Sequence, residues 1–415
     1  MKQGNLFIDD VKLTPQNAEV SAANHLHHKI LDLQQNLKQV GDLDETVRRA
    51  SAEIEAALKS LNDDPLALDR ATKHWQAAAM AISHPVWAAI YPNPMSDSAV
   101  EAQMIYHGMG QNEAQTQAYL DKLELAGASG VYLSFGSWMY VTYHSEILPV
   151  EKGWEDFDAL TYFIEEAYKR GIKVIGYLAP FYGTHSFVEY PGSIAVEHPK
   201  WLAFGPDPSM PTFPDPANPE VVDFMTKAYR ELATRYELYG IGLDYIRYPT
   251  GGCLNFDENN RRQILDSYGV DILKHENIFG DPAAQVKIQE YRAQKIGEVV
   301  RRVAETVRKA SPGITVMACL ISQRQWVRED FGQDWAISFQ YIDYASPMNY
   351  DDVSLDMNLL KDQKEVFAKT GAIWIPAIGG MPPIHESWTI SDWAERVSAQ
   401  RMLDPGGIII YRIVN

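Results

Sequence analysis

The sequence predicts an α/β fold: a parallel (β/α)8 barrel of the TIM type, preceded by a small helical segment. Three observations lead there. Beyond residue 91, short apolar runs alternate with amphipathic stretches, the pattern of βα units that build a parallel sheet. The runs number eight, which is the count that closes such a barrel. The length of 415 residues exceeds one ordinary domain but suits a barrel of roughly 250 to 400 residues with an accessory segment.

Taken in order, residues 1–15 hold one short strand-like run. Residues 16–90 read as helical, because Ile30, Leu33, Leu37 and Val40 recur at three- and four-residue steps and Val47, Ala50, Ile54, Ala57 and Leu58 continue the face. Asp42-Leu43-Asp44 and Asn62-Asp63-Asp64-Pro65 interrupt that face as turns and caps. Tyr91-Pro92-Asn93-Pro94 marks the start of the barrel, assigned to 91–415. Its strands are expected near 102–106, 130–135, 173–178, 240–244, 315–320, 341–346, 373–378 and 407–411, and its helices at 113–125, 156–170, 219–236, 286–310 and 355–370. Lys169-Arg170-Gly171 ends the second helix with cations at the negative pole and a glycine at the exit. No run for an eighth helix follows the last strand, and the N-terminal helices are expected to cover that gap.

Composition narrows the partners. A net charge of −18, from 37 Lys and Arg against 55 Asp and Glu, disfavours nucleic acid and anionic membranes. A neutral or cationic partner fits better. No run of 18 apolar residues suggests membrane insertion. Ten Trp and twenty-two Tyr supply flat rings with polar tips, the surfaces on which sugar faces stack, although most such rings fill cores. Cys253 and Cys319 have no CxxC spacing; they are read as free thiols or as neighbours able to pair. His107 and His185 follow the first and third strands, but no HxH or HExxH spacing links them, so neither a metal nor another cofactor is expected.

In a barrel of this type, residues just past each strand's carboxyl end face the active site. Gly240-Ile241-Gly242-Leu243-Asp244-Tyr245-Ile246-Arg247-Tyr248-Pro249 is therefore the most informative stretch. It ends an apolar strand on a carboxylate and places a guanidinium three residues later. Asp244 and Arg247 read either as an ion pair holding a loop or as a base or nucleophile kept ionised by its neighbour. On the same face, Trp138, Tyr140, Tyr143, Tyr182, Trp326 and Trp388 fall in predicted loops, where sugar stacking is a better reason for an aromatic ring than core packing. His107, Asn349, Tyr350 and Asp351 also lie at strand ends, with groups suited to sugar hydroxyls. Asp215 reads as the lead-in to the helix at Pro219, and Asp257-Glu258-Asn259-Asn260 as a solvated loop in preference to a calcium site.

"GLDYIRYP" at 242–249 is similar to the fourth-strand signature of the family-10-like glycoside hydrolases, the glycosyl-hydrolase-like family ten. "FIEEAYKRGIKVIGYLAPF" at 163–181, "HPKWL" at 198–202, "DPANPEV" at 215–221, "QDW" at 333–335 and "YIDYASPMNY" at 341–350 extend the resemblance in order through most of the barrel. It implies a TIM barrel and a glycoside hydrolase acting on a poly- or oligosaccharide. Glycosidic cleavage ordinarily takes one carboxyl group to protonate the leaving oxygen and another to act as nucleophile or base. Asp244 is expected in the second role. For its partner, Asp334, within the family-like "QDW", is favoured over Glu329, Asp330 and Asp351, with helix capping ahead of Trp335 as its alternative reading. Two better-known templates are disfavoured: no Asn-Glu pair ends the fourth strand, and no DxxDxDxE occurs. A barrel that binds glycan without cleaving it and a transglycosidase on the same carboxylates are the competing readings. Gly4-Asn5-Leu6-Phe7-Ile8-Asp9-Asp10-Val11 resembles the last strand of a jelly-roll carbohydrate-binding module. From this the chain is expected to be part of a larger modular protein placed outside the cell or on its surface.

Overall fold

The computed structural model describes residues 102–105, 109–125, 128–185, 191–203, 211–251, 253–379 and 390–411, together with Ala52, Ala56 and Lys59, which are helical. The strand-like run at 1–15, nearly all of the helical segment at 16–90, His107 and Trp388 lie outside the described residues. Met95–Gly380 with Glu395–Ile413 form one compact unit, and Met1–Pro94 with Met381–Ala394 another.

The first of these units contains the sheet. Its strands are β1 (Ala102–Ile105), β2 (Gly130–Ser137), β3 (Lys173–Ala179), β4 (Gly240–Leu243), β5 (Thr315–Ile321), β6 (Tyr344–Asn349), β7 in two pieces (Ile373–Trp374 and Ala377–Ile378) and β8 (Ile409–Tyr411). Each runs parallel to the next. β8 returns to β1 through Ala102 opposite Ile409, so the ring of pairings closes into the expected barrel. β7 is interrupted at Ile375-Pro376, where proline offers no N–H to the ladder. Such strands are buried on both faces and read as near-continuous apolar runs, as in Lys173–Ala179 and Thr315–Ile321. The interior holds a cluster of Tyr132, Ile175, Tyr177, Met317, Cys319, Tyr344, Ile375, Ala377 and Ile409.

The helices are α1 (Glu113–Leu125), α2 (Ala159–Lys169), α3 (Pro219–Arg235), α4 (Glu258–Tyr268), α5 (Pro282–Ala310), α6 (Arg324–Phe331), α7 (Trp335–Ser338), α8 (Met357–Thr370) and α9 (Ile390–Arg401). Several start on an Asp or Asn that accepts a first-turn N–H: Asp158 from Thr161, Asn218 from Glu220, Asp281 from Ala283 and Ala284, and Asp356 from Asn358 and Leu359. α5 buries Ile288, Ile296, Val299, Val300, Val303 and Val307 along one stripe, which anchors this 29-residue helix to the barrel.

Two expectations need correction. Asp257-Glu258-Asn259-Asn260 is no solvated loop: Asp257 accepts from the Asn260 N–H at 2.8 Å and caps α4, and Asn260 is fully buried. The sixth strand lies three residues later than predicted. Tyr341 and Ile342 read as strand because they are apolar, but the Asp343 carboxylate turns back to accept from the Val316 N–H at 2.7 Å and from Arg308 at 2.8 Å. The Asp343 N–H also bonds the Val316 carbonyl at 2.7 Å, and the regular ladder with β5 begins at Tyr344, opposite Met317.

Candidate active site at the barrel mouth

Asp244 is the first residue beyond β4 and is 2% exposed. Alternation puts Gly242 and Asp244 on the same side of the strand. That side is the interior, because a Cβ at Gly242 would stand 2.5 Å from the Tyr132 hydroxyl. The Asp244 carboxylate oxygen Oδ1 accepts the Tyr245 N–H at 2.7 Å and the Arg247 Nη1 at 3.3 Å. The first of these bonds needs an unusual backbone. Tyr245 has φ +49°, the left-handed region that a bulky residue seldom enters. Such strain costs on the order of 1 kcal/mol or more and concentrates at functional sites. The same turn lays the Tyr245 ring 4.3 Å from the Arg247 guanidinium and edge-on to Tyr182, with centroids 5.0 Å apart. Tyr182 is in turn fixed through its carbonyl, which accepts the Trp138 indole N–H at 2.9 Å.

Burial holds the Asp244 carboxyl above its ordinary value; the Arg247 charge and the Tyr245 N–H pull the other way and are outweighed. This reverses the expectation that Arg247 keeps it low: taking the carboxylate out of water costs more than one partly aligned guanidinium returns. The protonated form thus persists to higher pH than in an unfolded chain. If Asp244 works as a base, the acid limb of kcat/KM should lie above the usual aspartate range, near 3.9 in model peptides. Replacing Arg247 with Gln removes a lowering influence, so the limb should move to still higher pH, whereas Arg247→Lys should shift it less. A pH profile of Arg247→Gln superimposable on the wild type would show that Arg247 does not set this charge.

The remaining sequence candidates divide by location. Asp334 caps α7, with Oδ1 accepting from the Ala336 and Ile337 N–H groups at 3.0 and 3.1 Å and Oδ2 from Arg328 at 3.1 Å. That geometry favours its capping role over an acid role. Asn349 is fully buried, and its amide exchanges two hydrogen bonds with Gln363 of α8, at 3.0 and 2.7 Å, so it serves the barrel-to-helix layer. Tyr350 packs against the barrel interior. Asp351 opens the 3-10 turn after β6, and Trp326 lies within α6, where a loop was expected. Trp138 and Tyr143 are buried, while Tyr182 is 37% exposed and keeps a face for stacking. Cys253 and Cys319 are both free and buried. Among the described residues the buried carboxylates are Asp215, Glu231, Asp244 and Asp334. Asp215 is held by Asn255 and Asn260 at 3.0 and 2.6 Å, and Glu231 by Ser145 and the Glu146 N–H, both at 2.5 Å. Among the described residues no three His, Cys, Asp or Glu side chains gather as a metal set, and no helix is long and apolar enough to cross a membrane.

Comparison with known proteins places this barrel. Residues 86–366 match the profile of the family described as glycosyl hydrolase-like 10. The chain belongs to that family. It is 26% identical over 229 residues to the glycosyl hydrolase DigH of Escherichia coli K12, covering 48% of this chain and 46% of DigH. It is 23% identical over 161 residues to the glycosyl hydrolase YngK of Bacillus subtilis, covering 38% and 28%. The matched stretch thus spans about half the length of DigH and less of YngK. Among solved structures, the glycoside hydrolase domain of PgaB (BpsB) from Bordetella bronchiseptica superposes with a TM-score of 0.54 at 13% identity, covering 76% of this chain and 94% of that one. A β-galactosidase from Rahnella sp. R3 also reaches 0.54, at 12% identity over 77% and 51%. At such identities the likeness is one of fold.

Sequence reading missed what fastens the mouth of this glycosyl hydrolase-like 10 barrel. The loop after β4 is tied to the end of α6 by Tyr248 N–H to Phe331 O at 2.9 Å, Gly251 N–H to Asp330 Oδ1 at 2.6 Å and Gln333 Nε2 to Ile246 O at 3.3 Å. At the centre is Arg292, a fully buried cation from α5. It donates to Cys253 O at 3.3 Å, to Asp330 O at 3.2 Å and to Glu329 O. Three carbonyls, one from the loop after β4 and two from the last turn of α6, thus share one guanidinium, and the carbonyls of Glu329 and Asp330 lie at the negative end of that helix. In the sequence Arg292 is one polar position in a long amphipathic helix, and nothing marks it. Replacing it with Met leaves those buried acceptors unpaired, and the expected loss is about 3 kcal/mol of unfolding free energy. An unchanged denaturation midpoint would contradict this account.

Proposed function

We propose that this barrel is a glycoside hydrolase that cleaves a poly- or oligosaccharide at the carboxyl ends of its strands, with Asp244 as the reacting carboxylate, either nucleophile or base. One observation carries the reading. A carboxylate turned into the barrel, bonded to the Tyr245 N–H and to Arg247, closes β4 in a chain of the glycosyl hydrolase-like 10 family. Carboxylates at this place in the fold reach substrate bound across the strand ends. Tyr182 supplies the exposed ring beside it. Asp334 remains better suited to capping, so in this proposal the leaving oxygen takes its proton from another group. A larger modular protein working outside the cell or on its surface, as the run at 4–15 suggests, is part of the same proposal.

The test is release of reducing ends from a panel of purified polysaccharides by the whole chain. Release from at least one polymer, lost on substitution of Asp244, supports hydrolysis; formation of longer products from oligosaccharides would mark a transglycosidase. A second reading, glycan binding without cleavage, is favoured by the fact that the other three buried carboxylates among the described residues are each engaged elsewhere. Retention of a polymer in affinity electrophoresis, with no reducing ends released, would select it.

A further inference from the structure

We propose that Tyr245 is the positioning residue of this site: its left-handed turn brings Arg247 to the same Asp244 oxygen as its own N–H, its ring holds the guanidinium there, and Oδ2 is left as the oxygen that reacts. The inference rests on the glycoside hydrolase reading above and assigns atoms within that site. Both donors that reach Asp244 arrive at Oδ1, the Tyr245 N–H at 2.7 Å and Arg247 Nη1 at 3.3 Å. Among the described residues no donor reaches Oδ2. Nor is Oδ2 one of the sealed side-chain atoms left without a partner, so it keeps part of the 2% of Asp244 that is exposed. An oxygen with free lone pairs and accessible surface can attack a sugar carbon or take a proton from water. One that already holds two donors is the poorer nucleophile and base.

The turn is unusual for its residue type. Among the described residues the other non-glycine with positive φ is Asp404, and a short polar side chain tolerates that region where a tyrosine ring seldom does. Such a backbone persists only when its surroundings over-determine it. Here they do. The Tyr245 ring lies 4.3 Å from the Arg247 guanidinium, which also has the Phe331 ring at 5.8 Å, and a guanidinium against aromatic faces is held in orientation as well as in place. From the other side Tyr182 meets the Tyr245 ring edge-on, at 5.0 Å and 89°. Tyr182 is itself anchored by the Trp138 indole N–H on its carbonyl and by Gly183, where a Cβ would stand 2.5 Å from Pro249 Cγ in the loop after β4. The other titratable groups that feel the Asp244 charge are Tyr132 of β2, Tyr177 of β3, Tyr229 of α3 and Cys319 of β5, and burial keeps all four neutral. Arg247 is thus the charge that acts on this carboxyl, and where it sits matters.

The experiment compares the whole chain with Tyr245→Gly and Tyr245→Phe. It reads melting temperature, kcat and KM against pH on the polysaccharide that the wild type depolymerises, and the carboxyl-carbon NMR titration of Asp244, assigned by its loss in Asp244→Asn. Glycine takes the left-handed turn without strain, so the Tyr245→Gly protein should melt near the wild type. Its loosened Arg247 should let the Asp244 carboxyl titrate at higher pH and move the acid limb of kcat upward with it. kcat should fall roughly 10- to 100-fold, the cost of a misplaced reacting group, at nearly constant KM. Tyr245→Phe, which keeps turn and ring, should bring the limb and the titration back. In a crystal structure of Asp244→Asn with an oligosaccharide of that polymer, the side-chain atom turned away from the Tyr245 N–H should lie nearer the anomeric carbon; the bonded oxygen lying nearer would overturn the choice of Oδ2. A Tyr245→Gly protein that melts early while its folded fraction keeps wild-type kcat and titration would make Tyr245 structural and overturn its positioning role. So would a rise in KM with kcat unmoved, which would make the ring a substrate contact, and so would a titration moved to lower pH, which would mean that the ring shuts out water and does not hold Arg247. A wild type that releases nothing from any polymer overturns the hydrolase reading and the reacting oxygen with it, whereas the titration, which needs no substrate, still decides whether Tyr245 holds Arg247 on Asp244.

Discussion

Asp244→Asn is expected to lower turnover by roughly 10²- to 10⁴-fold, the share that a positioned proton-transferring or nucleophilic group supplies, and to leave the barrel folded. The amide keeps the shape and the acceptor oxygen, so the Tyr245 N–H retains its partner and the left-handed turn at Tyr245 is preserved. What disappears is the charge. Arg247, 9% exposed, then loses its ion-pair partner, and this sets a modest stability cost against the relief of no longer burying a carboxylate. Folding and chemistry therefore separate in this variant. Reducing-end release should vanish while the circular dichroism spectrum and melting cooperativity match the wild type. An active Asp244→Asn protein would remove Asp244 from the reaction; an unfolded one would show that the pair is chiefly structural.

How much of this was legible in the sequence depends on how local the signal is. The barrel was, because the eight strands are continuous apolar runs whose spacing follows from burial on both faces. Asp244 and Arg247 were, because a charged pair at the end of such a run lies within four residues of chain. The helix α4 was not: Asp257, Asn259, Asn260, Arg261 and Arg262 look solvated, and only the structure shows Asn260 buried between Asp215 and Tyr291. The shift of β6 turned on Asp343 bonding to a neighbouring strand, a contact between residues 27 apart. Trp138 looked free in a loop and is instead buried, its indole committed to a carbonyl of the next β–α loop. Asp334 illustrates the limit from the other side. Its capping role was visible in the sequence, and the structure shows the bonds that the cap requires.

Gly242→Ala should be among the most damaging small substitutions in the chain, and its effect tests the interior directly. The added methyl carbon would stand 2.5 Å from both Cζ and the hydroxyl of Tyr132 and 2.6 Å from its Cε2. A ring that is fully buried and stacked on Tyr177 has no solvent side to move toward. Overpacking of this kind costs about 1–3 kcal/mol, and displacement of Tyr132 disturbs the packing beside the strand that carries Asp244, so kcat should fall in the protein that still folds. Gly176→Ala provides the control. There the new methyl carbon meets Phe135 at 1.8 Å, on the helix-facing side of β3, so stability should fall at least as far while the folded fraction keeps its kcat. Combining Gly242→Ala with Tyr132→Ala should recover stability relative to the sum of the two single changes, because the clash and the cavity occupy the same space, but it should not recover activity. Additive losses in that double variant would mean that Gly242 is required for some reason other than the passage of the Tyr132 ring.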